Sequence, residues 1–215
     1  ETISWFRKDM EFLGALRPNH EPRATDYVSQ MKDMISKLIS LSFAYPTEDG
    51  HVFFEVEQFS DYGRLSNKKL SELKEGVRIE NENTKKNPLD FVLWKPSNAE
   101  EPGWESPWGR GRPGWHIECS AMAKDILGDQ FDIHGGGIDL IFPHHENEIA
   151  QSTCSNNMKK FANFWLHNGF LKIEGEKMSK SLNNFLTVFD LIKRDFSGPA
   201  IRYNMLSTHY RQPLD

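Results

Sequence analysis

The sequence predicts an α/β fold in which helices cover a parallel β-sheet that follows an inserted α+β module. From about residue 116 onwards, helical and strand patterns alternate, as they do in open parallel sheets. A strand at Phe131–His134 runs directly into three glycines, which lets a ligand approach the backbone closely at a strand end. Residues 101–114 are rich in glycine and proline, which indicates a rigid, tightly turning boundary between two modules.

Before that boundary, apolar residues at helical spacing predict two helices. The first covers residues 1–15, and the second runs from about Thr25, acting as N-cap, to Leu41. Asp49-Gly50 between two apolar runs indicates a β-hairpin. A short helix near Leu70–Leu73 and a strand at Phe91–Trp94 complete this half of the chain.

Beyond the boundary, caps and breakers help to place the last helices. Thr187 with Asp190 three residues later resembles a capping box, and Pro199 suits the first turn of a final helix that reaches about Ser207. The predicted helices cover residues 116–127, 143–154 and 187–195, and the predicted strands cover 131–134 and 164–173.

Composition excludes several classes of protein. The 215 residues are 38% hydrophobic and 27% charged, which is ordinary for a water-soluble globular protein, and no apolar run is long enough to span a bilayer. A net charge of -5 argues against coating nucleic acid by charge alone. Two cysteines do not make a disulfide framework, and the chain begins with Glu1, so we expect a cytoplasmic protein of which this is an internal part.

One constellation has the residue types of a metal site. His144 and Glu148 are four residues apart and therefore share a helix face, and Cys119 upstream can add a thiolate. The alternative is a charged, exposed helix start whose acids lie near the positive end of the helix dipole. A structural zinc site would also use four protein ligands, and this set has three.

Two further patterns suit a nucleotide. Gly135 and Gly136 follow a strand and precede a helix start, although glycine-rich turns of this kind are common. The string Lys177-Met178-Ser179-Lys180-Ser181 places two ammonium groups and two hydroxyls on one loop, which suits a polyphosphate that gains charge in a transition state. A basic loop without any phosphate ligand is the alternative.

Taken together, these strings resemble one family, the cysteinyl-tRNA synthetases of class I. Lys-Met-Ser-Lys-Ser is similar to a class I hallmark, and the segments 114–120, 134–137 and 143–148 are similar to the cysteinyl branch. The resemblance covers the whole chain and implies the second half of a Rossmann-type catalytic domain with an inserted α+β connective module. It implies four segments: 1–17, the last helix of the first Rossmann half; 18–110, the insertion; 111–185, the second half; and 186–215, the start of a helical tRNA-contact region.

The resemblance also implies roles for individual residues. Cys119, His144 and Glu148 match three zinc ligands, and zinc would bind the thiolate of substrate L-cysteine. Trp115 and Asp139 would contact the amino acid, and Lys177 and Lys180 would act on the phosphates as catalytic residues. The implied ATP-binding residues are Gly135, Gly136, Asp139, Gly169 and Lys180.

The implied reaction joins cysteine to tRNA(Cys) through a cysteinyl adenylate, with ATP and Mg²⁺, in a monomeric enzyme. Two family features have no counterpart in these residues: a further cysteine ligand and the His-x-Gly-His hallmark. We therefore expect this chain to be inactive alone. Two alternatives remain open, namely a cysteine ligase of mycothiol synthesis, which transfers to an amino-sugar, and a non-catalytic fragment that binds RNA or a partner.

Overall fold

The computed structural model describes residues 1–70, 84–157, 159–179 and 181–215. Most of the helix expected near Leu70–Leu73, and Lys180, lie outside the described residues. The helices are α1 Thr2–Phe12, α2 Val28–Ser40, α3 Trp115–Leu127, α4 Glu146–Ser155, α5 Val188–Lys193 and α6 Gly198–Ser207. The strands are β1 Ala44–Pro46, β2 Val52–Phe54, β3 Phe91–Pro96, β4 Gly111–Pro113, β5 Phe131–Gly137, β6 Ala162–Asn168, β7 Lys172–Ile173 and β8 Glu176–Lys177.

Internal contacts divide the chain into two compact units. The first consists of Glu1–Glu21, Gly135–Ile138 and Leu166–Asp215, and the second of Pro22–His134 and Asp139–Trp165. Strands β5 and β6 pair with each other, and each contributes residues to both units. The four segments expected from the family resemblance were defined by motif positions and not by contacts, so these units do not test them and they stay predictions.

The second unit is built on an antiparallel sheet in the order β1-β2-β3-β4. The predicted hairpin is confirmed, because β1 and β2 pair around a turn in which Gly50 has a φ of +86°. The predicted strand at Phe91–Trp94 is also confirmed and extends to Pro96. Trp94 and Phe54 are fully buried in this sheet, so it forms one wall of the core.

Helix α2 packs its apolar stripe into the same core. Val28, Met31, Ile35 and Leu38 are buried as the helical spacing predicts. The predicted N-cap at Thr25 is wrong: a 3₁₀ turn at Ala24–Tyr27 precedes the helix, and Tyr27 occupies the cap position.

A close approach of backbone fixes the start of α3 against the sheet. The N-cap of α3 is Gly114, whose N–H donates to the carbonyl of Leu93 at 2.8 Å. A Cβ added at Gly114 would lie 2.2 Å from the carbonyl oxygen of Val92, so no other residue fits without separating the two elements. Helices α3 and α4 also pack on each other and on α2.

The first unit contains α1, α5, α6 and the short hairpin of β7 and β8. The predicted capping box is confirmed, since Thr187 and Asp190 bond each other's backbone at the start of α5. Helix α6 has Pro199 in its first turn and holds the end of α1 through Arg202, which donates to the carbonyls of Leu13 and Gly14. None of the helices among the described residues is long and apolar enough to cross a membrane.

Candidate metal centre and substrate site

Three predicted ligands meet inside the second unit. Cys119 lies in the middle of α3, His144 in the π-helical turn Ile141–His145, and Glu148 in the first turn of α4. One ligand atom from each lies within 4.8 Å of the other two, and His144 Nε2 is 2.8 Å from Glu148 Oε1. These distances suit three atoms that share one ion at bond lengths of about 2.0–2.3 Å.

Glu148 has the environment of a metal ligand. Its side chain is fully buried, and each carboxylate oxygen faces an imidazole nitrogen, with His144 at 2.8 Å and His134 at 3.2 Å. Apart from these two imidazoles, both buried oxygens lack a hydrogen-bond partner among the described residues. Burial by itself raises the pKa of Glu148, but His134 and His144 more than offset it and hold the pKa at about 2.

A second imidazole supports His144 from behind. The Nδ1 atoms of His116 and His144 are 2.8 Å apart, so one of them must carry a hydrogen and donate a hydrogen bond to the other. Burial, followed by the charge of His144, lowers the pKa of His116 to about 4, which keeps His116 neutral near pH 7. If His144 uses Nε2 as a ligand, its Nδ1–H donates to His116, and this bond fixes the tautomer and orientation of the ligand ring.

Cys119 would be a thiolate only with a cation beside it. Burial, then the negative charges of Glu148 and Glu118, raise the pKa of the Cys119 thiol to about 12. Sulfur and imidazole are ligands that Zn²⁺ prefers and that Mg²⁺ and Ca²⁺ avoid. Sulfur, nitrogen and oxygen donors at these distances, with buried carboxylate oxygens that lack partners, therefore fit a zinc ion.

A second trio of possible ligands shares Glu148. His134, His145 and Glu148 also bring one atom each within 4.8 Å of one another. The trio with Cys119 is the better zinc site because it alone offers sulfur. In that arrangement His134, whose Nε2 lies 3.2 Å from Oε2 of Glu148, would orient the Glu148 carboxylate instead of binding the ion.

The sequence patterns do not single out His116, His134 or His145 as site residues. Their types were visible in the segments 114–120, 134–137 and 143–148. The pairing of His116 with His144, however, joins residues 28 positions apart and depends on how α3 and α4 pack. No local pattern indicates such a contact.

Trp115 borders the candidate metal centre. Its ring centroid is 4.4 Å from that of His144 and 5.6 Å from that of His116, and the side chain remains 60% exposed. A core tryptophan would be buried, so this position suits an aromatic side chain that contacts a ligand beside the trio.

The predicted nucleotide-binding glycines have different surroundings. A Cβ at Gly135 would meet only the carbonyl oxygen of Leu166, at the ordinary distance of 3.6 Å, so the backbone here is open. A Cβ at Gly169 would lie 2.4 Å from the carbonyl oxygen of Gln212, so the chain itself requires that glycine. Gly136 lies in β5, and Asp139 lies in the 3₁₀ turn Ile138–Leu140 of the second unit.

The loop with the Lys-Met-Ser-Lys-Ser string belongs to the first unit. Lys177 ends β8, with its ammonium 3.9 Å from the ring centroid of Phe170. Asn184 orders the loop by accepting from the backbone N–H of Ser179 at 2.8 Å and donating to the carbonyl of Lys177 at 3.2 Å. Asn184 was not selected from the sequence, where only its closeness to the string could have indicated it. Ser179 and Ser181 hydroxyls lie 3.1 Å apart.

Comparisons with known proteins identify the family of the chain. The family model described as tRNA synthetases class I (C) catalytic domain matches residues 1–215. The cysteine--tRNA ligases of Paracoccus denitrificans and Rhodospirillum rubrum are 59% and 58% identical, and each match covers 100% of this chain and 46% of the relative. The chain thus spans about half the length of these relatives.

A solved structure supports the fold. Methionyl-tRNA synthetase from Mycobacterium tuberculosis, in complex with methionyl-adenylate, superposes with a TM-score of 0.66 at 15% identity. The match covers 98% of this chain and 51% of that one. At this identity, the similarity concerns the architecture alone.

Proposed function

Because the chain belongs to the family of class I tRNA synthetase catalytic domains of the cysteinyl type, we propose that its full-length protein ligates L-cysteine to tRNA(Cys). The reaction would consume ATP, with Mg²⁺, and pass through cysteinyl adenylate. We further propose that the protein acts in the cytoplasm as a monomer. The observation that carries the proposal is the convergence of Cys119, His144 and Glu148 on one point.

This trio explains how cysteine would be selected. When bound, zinc would supply a soft Lewis-acid position that favours the thiolate of the substrate over the hydroxyl of serine. A site built around one strong polar contact can reject the analogue that lacks it by about 10⁴–10⁵ without editing. The buried side chains of Glu148 and His144 would fix where the ion binds, and His116 would fix the orientation of the His144 ring.

The residues around the trio would position the amino acid. Trp115, exposed beside His144, would cover the substrate side chain and exclude water from it. Asp139 carries a carboxylate that would accept hydrogen bonds from the substrate ammonium or from a ribose hydroxyl. His116 is neutral near pH 7, so it would accept a hydrogen bond from the Nδ1–H of His144 without adding positive charge beside the proposed metal position.

The first unit would bind the nucleotide. Gly135 leaves the backbone of β5 open to a close ligand, and Gly136 follows it in the strand. Lys177 and Lys180 would stabilise the charge that develops on the phosphates as pyrophosphate leaves. Asn184 would keep the loop in position by its two bonds to the backbone of Ser179 and Lys177.

The direct test is ATP–pyrophosphate exchange with cysteine. We expect substantial exchange with the full-length protein. We expect none with this chain alone, because its 215 residues contain no His-x-Gly-His motif. Exchange by this 215-residue chain itself would contradict the expectation that it is inactive alone. No exchange by the full-length protein would favour a non-catalytic RNA-binding or partner-binding role.

A second assay identifies the acceptor. With adenylation established, tRNA(Cys) and the amino-sugar of mycothiol synthesis compete for the same cysteinyl group. We expect transfer to tRNA, as the names of the relatives suggest, and transfer to the amino-sugar alone would favour the mycothiol ligase. Anomalous X-ray scattering at the zinc edge should show a peak between Cys119, His144 and Glu148.

A further inference from the structure

A short loop of the insertion has a fixed backbone shape. Within residues 61–68, the N–H of Lys68 donates to the carbonyl of Gly63 at 2.9 Å, and the Ser66 hydroxyl donates to the same carbonyl at 3.3 Å. Gly63 has a φ of +93°, and a Cβ there would lie 2.1 Å from the carbonyl oxygen of Lys68. Only glycine therefore allows this closed turn, which we call the 61–68 loop.

The 61–68 loop binds the start of helix α4. The carboxylate of Glu146 accepts the backbone N–H of Ser66 at 2.9 Å and that of Leu65 at 3.4 Å. The Tyr62 hydroxyl donates to Oδ1 of Asn147. Burial, followed by the charge of Glu146, raises the pKa of Tyr62, so this hydroxyl keeps its proton as a donor.

These contacts are buried and therefore costly to lose. Glu146 and Asn147 are 0% and 1% exposed, and Tyr62 is 7% exposed. A carboxylate without water needs compensating donors, and the two N–H groups of the 61–68 loop supply them. Any shift of the loop would leave Glu146 with unsatisfied charge, so the loop and the helix start hold each other in place.

Glu146 and Asn147 lie between two of the metal ligands along the chain. His144 precedes them and Glu148 follows, and these two point to the trio with Cys119 while their neighbours bind the loop. His144 lies in the π-helical turn that leads directly into α4, and Glu148 lies in the first turn of α4, so the backbone that carries Glu146 and Asn147 also carries both ligands. A rotation of the helix start would therefore carry both ligands away from Cys119.

We infer that Tyr62 and Glu146 are positioning residues, through which the 61–68 loop holds His144 and Glu148 in the geometry that zinc binding requires. This inference rests on the zinc site of the proposed function. It gives the insertion a part in selecting cysteine, although the loop itself contributes no ligand atom. Groups that bond to metal ligands typically change metal affinity by about 10–100-fold. We expect the lower end of that range for Tyr62 and Glu146, because their bonds hold the chain neighbours of the ligands.

The test measures metal binding in the full-length protein. Tyr62→Phe and Glu146→Gln are each expected to weaken Co²⁺ and Zn²⁺ binding at least tenfold, as read by competition with a chromophoric chelator. The d–d absorption of the Co²⁺ protein should shift in position, which a loss of stability alone would not produce. In the assay for adenylation, the KM for cysteine should rise more than the KM for ATP.

Tyr45→Phe is the matched control. Tyr45 lies in the same insertion, and its hydroxyl donates to the buried carboxylate of Asp90 at 2.7 Å, whereas the hydroxyl of Tyr62 donates to a residue of α4. This variant removes a similar bond, so its thermal stability should fall while metal affinity and the Co²⁺ spectrum stay unchanged. Circular dichroism checks that each variant is folded, and Tyr62→Phe, which loses one oxygen atom, answers the question if Glu146→Gln does not fold.

Each outcome has a defined meaning. If the wild-type protein binds neither Co²⁺ nor Zn²⁺, both the zinc site and this inference are overturned. If it binds them and the Tyr62 and Glu146 variants bind equally well, the positioning role alone is overturned. An equal loss in the Tyr45 variant would also overturn it, because the effect would then be one of general stability.

Discussion

Replacing Cys119 by serine should change how metal binding depends on pH. The thiol of Cys119 has a pKa of about 12 without a metal, so binding must first remove its proton. At about pH 7.5 this deprotonation costs about 6 kcal/mol, which the metal–sulfur bond must offset. In the wild type, each rise of one pH unit should therefore lower the dissociation constant for Zn²⁺ by about ten times the factor seen in Cys119→Ser. The reason is that a serine hydroxyl releases no proton on binding.

The assay is competition with a chromophoric chelator between about pH 7 and pH 9, in which range His116 stays neutral because its pKa is about 4. Loss of a direct ligand should also exceed the roughly 10–100-fold that an outer partner costs. Cys154→Ser is the matched control, since Cys154 is a buried thiol outside the trio. Equal pH slopes in the wild type and Cys119→Ser would remove Cys119 from the ligand set.

Three further predictions concern stability and catalysis. Gly114→Ala should lower the free energy of unfolding by about 1–3 kcal/mol in urea titrations, since its Cβ would meet the Val92 carbonyl, whereas Gly135→Ala should keep stability but raise the KM for ATP. In metal-free protein, the low pKa of Glu148, about 2, should make the free energy of unfolding of the wild type about 3 kcal/mol higher than that of Glu148→Gln above pH 4.5. This difference should disappear as the pH falls towards 2. A difference that does not change with pH would contradict the prediction. Lys180→Ala should slow adenylation far more than it weakens cysteine binding, and equal effects would indicate a structural role.

Periodicity and turn chemistry predicted most elements of the fold. The hairpin at Gly50 and the capping box at Thr187 depend on neighbouring residues alone, so a local pattern is sufficient to identify them. The cap at Thr25 was predicted wrongly because spacing fixes the buried face of a helix but not its first turn. The Thr25 hydroxyl contacts Asp26 instead, at the long distance of 3.5 Å, and no side chain caps α2.

The sequence predicted that Cys119, His144 and Glu148 would lie together, and it predicted less of what surrounds them. His144 and Glu148 share a turn, and Cys119 was recognised with them through the resemblance. The support from His116 and the bonds from Tyr62 to Asn147 join positions 28 and 85 residues apart. Such contacts arise when separate elements pack, and a single sequence does not show which distant residues come together.

The tilted contact between the rings of Trp115 and His144 has a practical consequence. Indole emission responds to the charge and hydrogen bonding of a neighbouring imidazole, and these two rings are 4.4 Å apart. A second indole, Trp165, lies 5.1 Å from the ring of His145. The protein thus carries two tryptophans beside the proposed metal site, so metal loading there should be detectable by fluorescence without any label.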